Sequence, residues 1–215
     1  MTPDGKFLYA LGGVFNCISP SPISLTAYAV DPASGKLTAG PVLTWINYDT
    51  VAGGATMTID PLGRFLYLAT GQADINYAAA TVVPYAINAD SGALTPIGSG
   101  TAVASNAGAM TVDPTGRYLY VVNDLNSNAA NDTVLAMAID QSSGEVSPLG
   151  LPLETAGPGQ TIVCEPLGRF VFLGADSGSS LTSFAISTAA SNAGQLLPSG
   201  QGGPSGETMA LAIVE

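Results

Sequence analysis

This 215-residue chain contains no histidine, and its positive charge is scarce. Lys and Arg together number 5 against 16 Asp and Glu, a formal net charge of −11. Without histidine there is no Ser-His-Asp or Cys-His machinery and no His-ligated zinc or iron. The acidic balance excludes nucleic acid and anionic membrane surfaces as partners. Only 2 cysteines are present, too few for a disulfide scaffold or a four-thiolate metal site. Charged residues make up only 10% of the chain. No apolar run reaches the roughly 18 residues of a membrane-spanning helix, so membrane insertion is not expected. At the N-terminus Asp4 and Lys6 fall where the apolar core of a signal peptide would begin. No segment reads as an amphipathic helix.

What the chain does have is an internal repeat. Asp60-Pro61-Leu62-Gly63-Arg64-Phe65-Leu66-Tyr67 returns as Asp113-Pro114-Thr115-Gly116-Arg117-Tyr118-Leu119-Tyr120 and as Glu165-Pro166-Leu167-Gly168-Arg169-Phe170-Val171-Phe172. Pro3-Asp4-Gly5-Lys6-Phe7-Leu8-Tyr9 is a fourth copy. The basic position, Lys6, Arg64, Arg117 and Arg169, recurs after 58, 53 and 52 residues. A second segment keeps the same beat: Ala27-Tyr28-Ala29-Val30, Pro84-Tyr85-Ala86-Ile87, Ala136-Met137-Ala138-Ile139 and Ser183-Phe184-Ala185-Ile186. A glycine turn and a short apolar run follow each.

Each repeat reads as four short strands, A to D. The alternation around Leu66 has period two, a strand signal, and Pro-x-Gly makes a tight A–B turn. Four antiparallel strands at a period near 50 residues predict an all-β fold, a β-propeller. The expected blades are 1–52 completed by 206–215, then 53–105, 106–157 and 158–205. The tail Gly206–Ala212 matches strand A, so it is expected to close the first blade, which lacks its own. Met1 falls inside a blade, which suggests a shortened N-terminus or part of a longer protein. A single four-bladed ring and half of a larger ring completed by a second copy both remain open.

The run Pro-x-Gly-Arg-Phe-Leu-Tyr, followed by Ala-Tyr-Ala-Val-Asp-x-x-Ser-Gly-x-Leu, resembles the YVTN-repeat and 6-phosphogluconolactonase-like propellers. The resemblance covers nearly the whole chain. It implies a fold usually built of seven blades and a lactone-hydrolysing or related ring-opening activity. In such enzymes His, Arg and acidic residues of the central channel are the implied catalytic set. No catalytic residue is carried over, because histidine is missing and four of the five bases occupy the repeat position; there Arg64, Arg117 and Arg169 follow Asp60, Asp113 and Glu165 by four residues, so a carboxylate–guanidinium pair or a backbone contact is expected.

Residues outside the repeat point to a site. Phe15, Trp45, Tyr48 and Tyr77 fall in B–C loops or on the D–A stretch, which open on one face of a propeller. With Asp49 and Asp74 among them, they read either as a ligand rim or as rings buried under a long loop. Asn123, Asp124, Asn126, Asn128, Asn131 and Asp132 crowd the third B–C loop, with Asp176, Glu154 and Glu207 near the same face. Asp124 and Asp132 are candidates for a Ca²⁺ site, since hard cations take six to eight oxygens; the alternative is a solvated, turn-forming loop. Cys17 falls in a B–C loop and Cys164 towards the A–B turns, on opposite faces of the propeller and about a strand length apart, too far for a disulfide.

The leading expectation is therefore a non-catalytic binding, structural or assembly module. It would be extracellular, periplasmic or on the cell surface and would take a glycan, a protein or copies of itself on the B–C and D–A loops. The alternative is a divergent lactone hydrolase. Carboxylates lining the channel would favour the enzyme; Ala, Thr, Met and backbone would favour the binder.

Overall fold

The computed structural model describes residues 1–12, 23–45, 55–70, 80–103, 107–123, 133–155, 159–175 and 181–202. These form antiparallel β-sheets stacked in chain order as the blades of a propeller. Blade 1 contains β1 (Phe7–Gly12), β2 (Ile23–Val30) and β3 (Leu37–Trp45). Blade 2 contains β4 (Ala55–Ile59), β5 (Phe65–Thr70), β6 (Thr81–Ile87), β7 (Leu94–Pro96) and β8 (Thr101–Ala102). Blade 3 contains β9 (Ala107–Val112), β10 (Tyr118–Asn123), β11 (Thr133–Ile139), β12 (Val146–Pro148) and β13 (Leu153–Glu154). Blade 4 contains β14 (Gly159–Cys164), β15 (Phe170–Ala175), β16 (Leu181–Ile186) and β17 (Leu196–Gly202).

The expected A-to-D order holds, with one difference. The outer strand D of blades 2 and 3 is split in two: β7 and β8 both pair with β6, and β12 and β13 both pair with β11. Gly98 and Gly100 lie in the first gap at φ +63° and +82°, and Gly150 in the second at +144°. These left-handed residues break the pleat while Ile97 and Leu149 still donate to the carbonyls of Pro84 and Ala136. The tail 206–215, expected to complete blade 1, lies outside the described residues.

Period-two alternation builds the core between blades rather than within them. Leu66 and Leu68 of β5 join Phe7, Tyr9 and Leu25 of blade 1. Their neighbours Phe65, Tyr67 and Ala69 face the other way, onto Leu119, Val121, Met137 and Val146 of blade 3. β10 repeats the pattern, sending Tyr120 and Val122 onto Ile162, Val171 and Phe184 of blade 4. Innermost, β9 packs beside β4 on one side and β14 on the other.

Candidate functional site

The blades have two chemically different ends. In blade 3, Asn123 pairs with both Ala107 and Thr133. The B–C and D–A connections therefore leave from the same end, the loop end. In blade 2, Thr70 pairs with Ala55 and Thr81 in the same way. The A–B and C–D turns occupy the opposite, turn end.

The turn end is built from local sequence. Asp60 is fully buried, and its Oδ1 accepts the backbone N–H groups of Arg64 (2.6 Å) and Phe65 (3.1 Å). Its Oδ2 meets the Arg64 guanidinium at 2.9 Å. Glu165 and Arg169 repeat the pair at 2.9 Å, and the Arg169 contact lowers the Glu165 carboxyl to a pKa of about 2. Asp113 instead takes the backbone N–H and hydroxyl of Thr115 along with the N–H groups of Arg117 and Tyr118. The Arg117 guanidinium sits over the Tyr118 ring, 6.0 Å from its centroid. In the first copy Thr2 takes the carboxylate's place, its Oγ1 accepting the Phe7 N–H at 3.0 Å, while Lys6 pairs with Asp4 at 3.3 Å. The expected carboxylate–guanidinium pairing thus forms at Arg64 and Arg169, and the position is occupied by scaffold contacts throughout. The fifth base, Lys36, lies between Gly35 and β3, at this same end. Every cation of the chain is therefore at the turn end.

A groove of about 550 Å³ runs along the outer edge between blades 2 and 3, lined by Pro84, Ile97, Thr101, Asp140, Glu145 and Val146. Asp140 already accepts from the backbone N–H and hydroxyl of both Ser142 and Ser143. Those bonds, led by the Ser142 hydroxyl, hold its pKa well below the usual carboxylate range, which makes it a turn-former rather than a base.

The loop end is where the sequence placed its candidates. Trp45 closes β3 opposite Ile23, so its backbone is at the loop end. Glu154, exposed in β13, pairs with Thr133 there. Phe15, Tyr48, Asp49, Asp74, Tyr77, Asp124, Asp132, Asp176, Glu207 and Cys17 lie outside the described residues. Asn123 departs from expectation. It is not a loop residue but the last of β10, fully buried, with its Nδ2 donating to Thr133 Oγ1 at 3.4 Å and its Oδ1 without a partner among the described residues. Its sequence neighbours made it look like part of the Asn-rich loop. The signal that places it in the strand is the pairing of the B strand with its neighbours on both sides.

The inner strands carry Ala55, Thr56, Met57 and Thr58 in β4, Gly108, Ala109 and Thr111 in β9, and Gln160, Thr161 and Val163 in β14. Their one ionisable side chain is Cys164, a free, partly buried thiol whose pKa burial pushes up to about 12. Among the described residues no group of three or more acidic, cysteine or histidine side chains could hold a metal ion.

The family profile described as lactonase, seven-bladed β-propeller, matches residues 76–208. The fold is similar to that of the periplasmic gluconolactonase PpgL of Pseudomonas aeruginosa. That match has a TM-score of 0.63 and 18% identity and covers 100% of this chain and 57% of the other. A candidate 6-phosphogluconolactonase from Bacteroides fragilis gives 0.61 at 21% identity over 92% of this chain and 51% of its own. Another, from Bacteroides uniformis, gives 0.60 at 15% identity over 98% and 72%. The chain thus spans between about half and three quarters of the length of these relatives. No curated protein matches it. With the family profile covering more than half of its length, the chain belongs to the lactonase family of seven-bladed β-propellers.

Proposed function

We propose that the chain supplies blades to a propeller that opens an uncharged sugar-acid lactone at the loop end. One observation carries the choice of substrate: all five Lys and Arg residues lie at the turn end, four of them held by carboxylate or aromatic neighbours. Glu154 and Asn123 lie at the loop end, the sequence of the connections there is rich in carboxylates and amides, and none of the five bases is there to receive a phosphate, which favours an unphosphorylated lactone. Asp74, Asp124 and Asp132 are the candidate bases. One carboxylate would take a proton from water as the water oxygen bonds to the lactone carbonyl carbon. The ring C–O bond then breaks and the leaving oxygen takes that proton, giving the open hydroxy acid. The acidic rim would repel this anionic product and speed its release. PpgL is described as periplasmic, which supports an exported setting for this chain too.

Acid release from gluconolactone tests this in the parent protein and in Asp74→Asn, Asp124→Asn and Asp132→Asn. The expected result is opening faster than the spontaneous rate, reduced about a hundredfold in one variant. No acceleration in the presence or absence of Ca²⁺ overturns the proposal. The inner strands favour a second reading. Their Ala, Gly, Thr and Met residues suit a non-catalytic module that binds a glycan or protein on the same rim, and glycan binding without turnover would support it.

A further inference from the structure

One repeat position, the residue after the C–D turn glycine, is filled in three ways where blades meet. It is Ala93 in blade 2, Glu145 in blade 3 and Gln195 in blade 4. Between blades 1 and 2, Ala93 packs with Pro41 and Leu43 around a cavity of only about 40 Å³. Between blades 3 and 4, Gln195 donates its Nε2–H to the carbonyl of Leu149, in the gap between β12 and β13. That bond ties the split strand to the next blade.

Between blades 2 and 3 the corresponding residues are Glu145 and Ile97. A Cβ on Gly98 would lie 3.5 Å from Glu145 Oε1, as one on Gly150 would lie 3.1 Å from Gln195 Nε2. The two side chains thus reach equivalent places with opposite hydrogen-bonding character. An ionised carboxylate only accepts, so Glu145 cannot give the Ile97 carbonyl what Gln195 gives Leu149. Neither acceptor has a hydrogen-bond partner among the described residues. A cross-blade bond from Thr101 Oγ1 to the Val146 carbonyl, 2.8 Å, uses neither of them. Both line the groove of about 550 Å³ between these blades. Arg64 shows what joins such a pair. It spans the same two blades, its Nε on the Asp60 carboxylate at 2.9 Å and its Nη1 on the Gln141 backbone carbonyl at 3.2 Å. A guanidinium is a planar fork of donors, able to meet a carboxylate and a carbonyl together.

We propose that the groove between blades 2 and 3 docks an arginine of a partner protein, carried on an extended segment, with its guanidinium between the Glu145 carboxylate and the Ile97 carbonyl. The occupant is a protein segment because the groove is larger than one guanidinium and offers backbone as well. Gly98, Ser99 and Gly100 lie between β7 and β8, outside every strand pairing, and an extended chain can pair with such an edge. Pro84, Ile97 and Val146 supply apolar wall. Asp140 adds negative charge to the same groove while Ser142 and Ser143 hold its Oδ1. A hard metal ion fits poorly, since it takes six to eight oxygens and no three acidic side chains gather among the described residues. This surface is on the outer edge of the blades and does not depend on lactone opening at the loop end.

Amide NMR titration of the 215-residue chain with the peptide acetyl-Gly-Ser-Arg-Ser-Gly-amide tests this. Salt at about 0.15 M screens the general attraction of an acidic protein for cations. The amides of Ser99, Gly100 and Ser147 should shift. The same peptide with citrulline, which keeps the shape and loses the charge, should bind about tenfold more weakly. Glu145→Gln gives the Ile97 carbonyl a donor, as Gln195 does for Leu149. It should abolish binding while the thermal midpoint holds or rises. Asp90→Asn removes a charge from the exposed C–D turn of blade 2 and should leave binding unchanged. Citrulline binding as tightly as arginine overturns the proposal, as does an equal loss in Asp90→Asn and Glu145→Gln. So does displacement of the peptide by Ca²⁺, or free arginine binding as tightly as the peptide.

Discussion

At the residue scale, one position used four times shows three solutions to the same packing problem. Tyr9, Tyr67, Tyr120 and Phe172 occupy equivalent places in strand B. Tyr9 and Tyr120 reach across to the carbonyls of Gly92 and Gly194, residues 83 and 74 positions away. Burial raises the Tyr9 phenol to a pKa of about 12, so it stays a neutral donor at any ordinary pH. The Tyr67 hydroxyl is buried with no partner among the described residues. A buried hydrogen bond contributes about 1 kcal/mol, while an unsatisfied buried hydroxyl is a cost. Tyr120→Phe is therefore expected to lower the unfolding free energy in urea by about 1 kcal/mol, and Tyr67→Phe to leave it unchanged or raise it. Equal losses in both would show that the Tyr67 hydroxyl is bonded after all. The aromatic spacing was legible in the sequence. The hydroxyl contacts were not, because they join distant segments whose proximity depends on how blades stack.

At the scale of strands and turns, the turns were the most legible elements, and the glycines explain why. The C–D turns share a side-chain acceptor at their start. Asp31, Asn88 and Asp140 each accept two backbone N–H groups and at least one serine hydroxyl from the next three residues. Such local signals need no tertiary context. The split of strand D was not legible although Gly98, Gly100 and Gly150 marked it, because a short apolar run after a turn reads as a continuous strand. Other glycines make a comparison possible. Gly35 and Gly144 both have positive φ, +69° and +82°, but Gly35 meets open space among the described residues and Gly144 meets Phe65. Gly35→Ala should cost only the backbone penalty, about 1 kcal/mol. Gly144→Ala adds overpacking, about 1–3 kcal/mol more. Thermal unfolding of the two variants measures the difference. Equal shifts in Tm would mean that the Phe65 ring moves aside freely.

At the scale of the whole molecule, the core clusters of the described residues lie between blades adjacent in the chain, a quasi-one-dimensional stack, so stability is shared between intrinsic blade terms and blade–blade terms. The period of 52–58 residues made the architecture readable. The candidate rim was readable only as a place, because Phe15, Tyr48, Asp49, Asp74 and Tyr77 belong to long connections with no repeating counterpart to fix their geometry. The stack makes its own prediction for amide exchange. β5 and β10 are apolar on both faces and covered by a blade on each, with Leu66, Tyr67, Leu119 and Tyr120 fully buried. β1 is covered on one side by blade 2 and β15 on one side by blade 3, leaving Leu8 and Phe172 half-buried on the other. Opening free energy falls where fewer apolar contacts must be broken. In dilute protein, the amides of β5 and β10 should therefore exchange most slowly, and those of β1 and β15 measurably faster. Uniform protection across the four strands at low concentration would mean that both end faces are already covered, and the one-dimensional account of this propeller would fail.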